Sequence, residues 1–313
     1  MSYALVLMIA IGLDALFGWP KTLFRAIGHP VVWIGTLIHS FDRFLNVEGA
    51  DNPRRRWAGV VTAFAVVGLS AELAWIAVWL LPEGWPGVLL TGVLAWPFLA
   101  IRSLHDHVAA VGSPLSAGDT PAARRAVAQI VGRDPSALDR AGIARAALES
   151  LAENTSDGIT APVFWGLLFG LPGIAGYKAL NTLDSMIGHR SEKYEAFGWA
   201  SARADDLANL IPARLTGVLY ALVSTRPREA LRLMWRDARR HRSPNAGWPE
   251  AALAGALDIR LSGPRVYRDR IADEPWINGD APDPLPVDIA RGLKLFRLAM
   301  LGMSLVVVVL VLV

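Results

Sequence analysis

The chain has 313 residues, 53% of them hydrophobic and 19% charged, against roughly a quarter charged in an ordinary soluble domain. Its net charge of +3 is too small to argue for nucleic acid, and the arginine excesses at 54–56 and 236–242 suit a solvated cytoplasmic face. The absence of cysteine excludes disulfides, thiolate metal sites and a cysteine nucleophile.

Unbroken apolar runs predict an all-α fold, a multi-pass integral membrane helical protein forming a single membrane-embedded domain over 1–313. The first run, near 3–17, is short for a span of about 20 residues and carries Asp14. It lacks the basic flank and small-residue cleavage site of a signal peptide, so it is expected to stay on the chain. Residues 31–38 form a second, shorter apolar piece. Residues 57–81 are long enough to cross, 82–86 read as a tight turn, and 88–101 return with a kink expected at Pro97. Residues 122–131 and 141–154 read as water-facing or surface helices. Residues 159–180, rich in Gly and Pro at first, and 207–223 form either two crossings or a re-entrant pair. Residues 245–288 read as a soluble loop with one helix near 249–257. A tail span covers 291–313. Basic residues flank the spans so that 102–158 and 225–288 are expected in the cytoplasm, with the C-terminus outside. No internal repeat is visible.

Four polar clusters interrupt this pattern. In ESLAENTSDG at 149–158, Glu149 and Glu153 stand one turn apart and share a helix face. Asn154 and Asp157 add oxygens at the helix end, where Gly158 suits a C-cap. Carboxylate and amide oxygens are what Mg²⁺ takes, with substrate phosphates completing its shell; an ordinary charged, capped helix end fits the same spacing. Lys178, Asn181 and Asp184 repeat every third residue and make one polar stripe. At membrane depth such a stripe faces either a packing partner or a cavity. Asp205, Asp206 and Asn209 lie at i, i+1 and i+4. Adjacent carboxylates imply a cation or a nearby arginine, and both a divalent metal and Arg203 or Arg214 meet that need. Around His241, Ser243 and Asn245 a Pro/Gly-rich loop suits either closure on a ligand or a plain turn. His105 and His107 fall on different helix faces, a poor arrangement for a metal, and a lone His29 before Pro30 is usually structural. Walker A, G-x-S-x-G and H-E-x-x-H motifs are absent.

At these clusters the chain resembles the adenosylcobinamide-phosphate synthase family of cobalamin biosynthesis, the CobD/CbiB cobinamide synthases. The matching stretches are GHPVVWIGTLI at 28–38, ESLAENTSDGITAP at 149–162, YKALNTLDSMIGHRSEKYEAFGWASARADDLANLIPARLTG at 177–217 and HRSPNAGWPEAALAGALDIRLSGPRVY at 241–267. The resemblance runs from about residue 13 to 267. Two departures stand out: Gly18-Trp19-Pro20 where many members carry Gly-Asp-Pro, and Ser262-Gly263-Pro264 where Gly-Gly-Pro is commoner.

The resemblance implies an ATP-dependent acid–amine ligase, joining a propionate carboxylate of adenosylcobyric acid to aminopropanol or its phosphate. ATP and Mg²⁺ are the implied cofactors, the bilayer and other enzymes of the cobalamin pathway the expected partners, and the inner (cytoplasmic) membrane the location. Under that reading Glu153, Asp157, Asp205 and Asp206 hold Mg²⁺, and Asp184 holds Mg²⁺ or orients the amine. Lys178, Arg203 and Arg214 contact phosphate; Asn154, Asn181 and Asn209 orient substrate oxygens; Ser243 and Asn245 close a loop on the ligand. His241 or His29 accepts the amine proton. The clusters are expected to form one cytoplasm-facing site. A transporter using intramembrane acids, or a sensor without catalysis, is the rival reading.

Overall fold

The computed structural model describes residues 2–47, 49, 51–132, 134–267, 270–272 and 274–312, with backbone alone at 265–267 and 270–272. The side chains of Arg265 and Tyr267, at the end of the matching stretch 241–267, therefore lie outside the described residues. Helices dominate the chain. The first five are α1 (Tyr3–Phe17), α2 (Lys21–Ile27), α3 (Pro30–Leu45), α4 (Asn52–Leu80) and α5 (Trp85–Ala95). Then come α6 (Ile101–Ser116), α7 (Thr120–Val127), α8 (Arg140–Thr155), α9 (Ala161–Leu183) and α10 (Trp199–Ala208). Last are α11 (Leu210–Val223), α12 (Pro227–Asp237), α13 (Gly247–Leu257) and α14 (Pro286–Leu312). Among the described residues four stretches are long and apolar enough to cross a bilayer: Asn52–Leu80, Trp85–Ser116, Arg140–Gly188 and Pro286–Leu312. Two bent helix pairs, α1 with α2–α3 and α10 with α11, raise the count to six. The protein is an all-α, multi-pass membrane protein.

The chain divides into two compact units, Met1–Ala100 with Ala161–Asn209 and Val307–Val313, and Ile101–Thr160 with Leu210–Val306. In the first unit α4 packs along α9, and α1 lies on α5. Ile34 and Ile38 of α3, one turn apart, meet Ala63 and Val66 of α4, Ala179 and Leu183 of α9, and Phe197. This is the apolar stripe expected of a helix with one buried face. α1 ends at Gly18, whose φ of 55° lets the chain turn, and the pair formed by α1 and Lys21–Leu45 is bent by 112°. The kink expected at Pro97 is present as a 3₁₀ turn, Trp96–Phe98. α9 breaks at Gly170 (φ 65°, ψ −150°), two residues before Pro172, as a Gly/Pro break in a span should.

In the second unit α8 corrects the expectation of a surface helix over 141–154. Ile143, Ala144, Ala146, Ala147, Leu148, Leu151 and Ala152 are all fully buried. Small alanines let neighbours approach on every side, and the polar side chains are spent internally: Glu149 Oε1 accepts from Ser262 N at 2.8 Å. The expected C-cap at Gly158 is also corrected. The helix runs on through a π-helical turn, Ser156–Thr160, where Thr160 Oγ1 donates to Thr155 O at 3.1 Å and Thr155 Oγ1 meets Tyr220 OH at 2.7 Å. The supposed loop over 245–288 holds α13 and two antiparallel ribbons. β1 (Leu261–Ser262) pairs with β4 (Trp276–Ile277), and β2 (Arg265–Tyr267) pairs with β3 (Arg270–Ala272).

Two carboxylates hold this region together. Burial pushes the Asp237 carboxyl up, but hydrogen bonds from Arg236 and the Asn278 N–H and the nearby charge of Arg240 outweigh it and leave the group below its ordinary value. Asp283 is held low chiefly by Arg260, at 2.9 and 2.6 Å, and by Arg145. Both of its arginines also stack on Trp276, at 4.2 and 4.6 Å.

Depressed folded-state values mean stability that is present above the unfolded carboxyl pKa of about 3.9 and lost as pH falls through the folded values. Thermal unfolding in detergent should therefore fall steeply below about pH 4, and Asp283→Asn should be less stable at neutral pH and flatter across that window. A variant matching wild type at both pH extremes would refute this. In the first unit, a Cβ at Gly59 would strike the Phe197 carbonyl oxygen, whereas one at Gly68 would meet nothing within 4 Å. Gly59→Ala should destabilise by about 1–3 kcal/mol, while Gly68→Ala should be neutral or gain up to about 1 kcal/mol, read as opposite shifts in melting midpoint.

Candidate active site

The first unit gathers eight of the proposed residues around α9 and α10. Lys178 and Asn181 lie on the last turns of α9, and Asp184 opens a π-helical turn, Asp184–Gly188, that continues it. Arg203, Asp205 and Asp206 belong to α10, and Asn209 is its C-cap. The i, i+4 face inferred for Asp205 and Asn209 is real: Asn209 Nδ2 donates to Asp205 Oδ2 at 2.9 Å. Asn209 Oδ1 in turn accepts from Tyr177 OH of α9 at 2.8 Å. Asp184 and Asp205 lie close enough to repel, as do Asp184 and Asp206, and Asn181 faces Asp205. Arg203 approaches Asp206 only to 3.8 Å. His29 caps α3, its Nδ1 accepting from Val31 N at 3.2 Å, and sits within electrostatic reach of Lys178. Trp19 packs edge-on against His29 at 5.0 Å.

A clamp that the sequence did not reveal holds the segment between the acids. Asp42 of α3, buried, accepts from Lys193 Nζ at 2.7 Å, Tyr194 OH at 3.1 Å and Asn46 Nδ2 at 2.9 Å. Arg55 of α4 donates to Asn46 Oδ1 at 3.0 Å and also to the Lys193 carbonyl. The bonds to Asp42 and Tyr194 hold the Lys193 ammonium well above its ordinary value. Residues 189–198, which connect Asp184 to α10, are thus strapped to α3 and α4. The i, i+4 spacing of Asp42 and Asn46 was the one local signal.

The second unit holds the remaining candidates and uses several of them structurally. Glu153 and Asn154 are exposed at the end of α8, and Asp157 is half-buried in the π turn. Asn154 Nδ2 donates back to Ser150 O at 2.9 Å. His241 is buried; its Nδ1 accepts from Ser243 N at 3.1 Å, and its Nε2 stands 3.8 Å from Glu250 Oε1. Ser243 Oγ accepts from the backbone N–H of Asn245 and Ala246, each at 3.2 Å. Asn245 is buried beside the start of α13. These residues build the turn that launches α13, and the buried Glu250 that faces His241 was not anticipated. The structure gives Arg214 a different pairing from the one expected with the acids. It donates to Leu210 O at 2.5 Å and stacks on Trp248 at 4.2 Å.

Among the described residues no three His, Asp or Glu side chains are arranged to hold a metal ion by themselves. Mg²⁺ on phosphates needs only one or two protein carboxylates, and Asp205 fits that role. Its Oδ1 is buried and makes no hydrogen bond among the described residues, leaving a lone pair that a cation would satisfy.

The family model described as CobD/Cbib protein matches residues 7–296. The chain belongs to the CobD/Cbib family. A Rhodobacter capsulatus protein named Cobalamin biosynthesis protein CobD is 64% identical over 98% of this chain and 97% of its own length. Proteins of the same name from a Sinorhizobium species, 48% identical over 88% of this chain and 87% of theirs, and from Geobacter metallireducens, 46% identical over 92% and 90%, are also similar. No solved structure matches. The four stretches quoted from the sequence all lie within the matched region of this CobD/Cbib chain.

Cutting the clamp should loosen the connection between the acids. In Lys193→Met, backbone amides of 189–198 should exchange with deuterium faster than in wild type, while those of α4 and α9 stay protected. Unchanged exchange in 189–198 would show that the clamp does not hold that segment.

Proposed function

We propose that the protein is an ATP-dependent amide synthase of cobalamin biosynthesis, joining a propionate carboxylate of adenosylcobyric acid to aminopropanol or its phosphate. The family and its relatives support the role in cobalamin biosynthesis. The observation that carries the chemistry is the convergence of Asp184, Asp205 and Asp206 with Arg203 and the amides of Asn181 and Asn209, with Lys178 on the same helical stripe as Asn181 and Asp184.

A carboxylate and an amine do not condense unaided in water. The carboxylate oxygen attacks the γ-phosphorus of ATP and ADP leaves. The amine nitrogen then attacks the acyl carbon, phosphate leaves, and the nitrogen loses a proton. The first step depends on positioning and charge neutralisation. Asp205, with Asp184 or Asp206, would hold Mg²⁺, which neutralises phosphate charge. Lys178 and Arg203 add positive charge suited to phosphate oxygens, and Asn181 orients a substrate oxygen. His29 and His241 are the candidate acceptors of the amine proton; each uses its Nδ1 lone pair on a backbone N–H, of Val31 and Ser243, so either gives up that bond to take the proton. ATP places this site on the cytoplasmic side of the inner membrane.

The test uses the purified full-length protein in lipid nanodiscs with adenosylcobyric acid, ATP, Mg²⁺ and each amine, read by mass spectrometry. Wild type should form the amide only when all components are present. Asp205→Asn should lower the rate by about 100-fold, and Asp184→Asn should raise the Mg²⁺ needed for half-maximal rate. Full activity in Asp205→Asn would remove that residue from the site. Corrinoid uptake into vesicles without amide formation would favour a carrier.

A further inference from the structure

The first unit contains a cavity of about 510 Å³, bounded by the bent α1–α3 segment, α4, α5 and α9. That volume lies within the range of small-molecule sites, about 300–1,000 Å³. Its chemistry is unlike that of the acid cluster. No charged side chain lines it, and Ser70 is the sole hydroxyl among its lining residues. Two of its three indoles have spent their N–H groups on backbone: Trp19 donates to Gly28 O at 3.2 Å and Trp33 to Ile27 O at 3.1 Å. They offer only ring faces to an occupant. The third, Trp96, has a buried N–H with no partner among the described residues, and with Ser70 it is the whole polar content of the lining. A nucleotide, an amine or an amide-fringed macrocycle would lose its hydration there for two hydrogen bonds at most. Water gains little either, because it needs two to four polar partners to settle in a cavity. The site takes hydrocarbon.

The location of the cavity says which hydrocarbon. Several residues of its wall also lie on the outer surface of the spans: Trp33 is 54% exposed, Leu73 58%, Val93 46% and Leu94 40%. The cavity is therefore continuous with the apolar wall that α4 and α5 present to the bilayer, and an acyl chain reaches it sideways without crossing water. Its depth comes from small residues. Ala74 and Ala77 on α4 and Ala175 on α9 leave space that the bend between α1 and α2 does not fill. We infer that this cavity is a fixed binding site for one acyl chain of a membrane phospholipid, a structural lipid that wedges α3 in place and so steadies His29 at its N-cap.

The experiment reconstitutes the full-length protein in vesicles containing a phospholipid with a photoactivatable group in its acyl tail, and maps the adducts by peptide mass spectrometry. Adducts should concentrate on peptides covering 69–77 and 93–98, several-fold above those on the equally lipid-facing end of α14. Unlabelled long-chain phospholipid should compete at the first two peptides. Ala74→Trp, which fills the cavity, should remove the excess there and leave labelling of α14 unchanged. An even spread of adducts over all spans of the wild-type protein would overturn the proposal whatever Ala74→Trp does. So would protein–protein crosslinks in place of lipid adducts at 69–77, which would mark the face as a contact with a second copy. Retention of the excess in a folded Ala74→Trp would place the chain outside the cavity and overturn it equally.

Discussion

The hydrogen-bonded run from Tyr177 through Asn209 to Asp205 joins α9 to α10, and the acid cluster exists because of it. Polar groups inside apolar helices must find partners within the protein. Asn209 meets that demand with both ends of one amide, its oxygen accepting from Tyr177 and its nitrogen donating to Asp205. The amide orientation is therefore dictated by its neighbours. Asp205 is left with one satisfied oxygen and one that makes no hydrogen bond among the described residues. A buried carboxylate held in this way keeps its place in the fold while retaining capacity to bind something further. That separates it from Asp42, whose two oxygens are used by Asn46, Lys193 and Tyr194.

Asp184 and Asp205 sit on either side of a ten-residue interruption in the helices, residues 189–198. Few bonds of its own hold that segment: Tyr194 and Glu195 donate to Ser191 O, and Gly198 donates to Tyr194 O. So short a turn could not by itself keep two repelling carboxylates near each other. The Asp42 clamp and the contact of Phe197 with the core of α3, α4 and α9 supply the restraint from outside. The distance between the acids is thus held by the Tyr177–Asn209 link and also by α3 and α4, which carry no acid of the cluster, so a substitution in α3 or α4 would reach the site through the strap.

Local patterns in the sequence carried much of this architecture. The Gly/Pro-rich run after 159 signalled a broken span, and Gly170 is the break. Spacing of three placed Lys178, Asn181 and Asp184 on one stripe, and i, i+4 placed Asp205 against Asn209. What stayed hidden depends on partners far along the chain. Glu149 and Ser262 are 113 residues apart, and Asp42 and Lys193 are 151 apart. The burial of α8 was obscured because alanine fits a packed face and a wet one equally well. His241 and Ser243 show a different limit: residues that bond a turn's backbone and residues that bond a ligand have the same composition, and both of these bond the turn's backbone.

α9 changes character along its length. Leu171 and Ala175 face the apolar cavity, Ala179 and Leu183 enter the core with α3 and α4, and Lys178, Asn181 and Asp184 carry the polar stripe. One helix thus borders hydrocarbon on one part of its surface and carboxylates on another. Charge beside an apolar cavity is costly unless the boundary is held firmly. The boundary in this protein is firm because both neighbours of α9 are pinned, α10 by Tyr177 and α3 by its apolar stripe. Leu171 and Lys178 are seven residues apart, so they share a face of α9 about two turns apart along its axis, and the boundary runs across the helix rather than around it. The packing of α4 along α9 fixes where that boundary falls, so α4, whose charges are Arg54, Arg55 and Arg56 near its start and Glu72, helps hold the polar stripe in place without adding an acid to it.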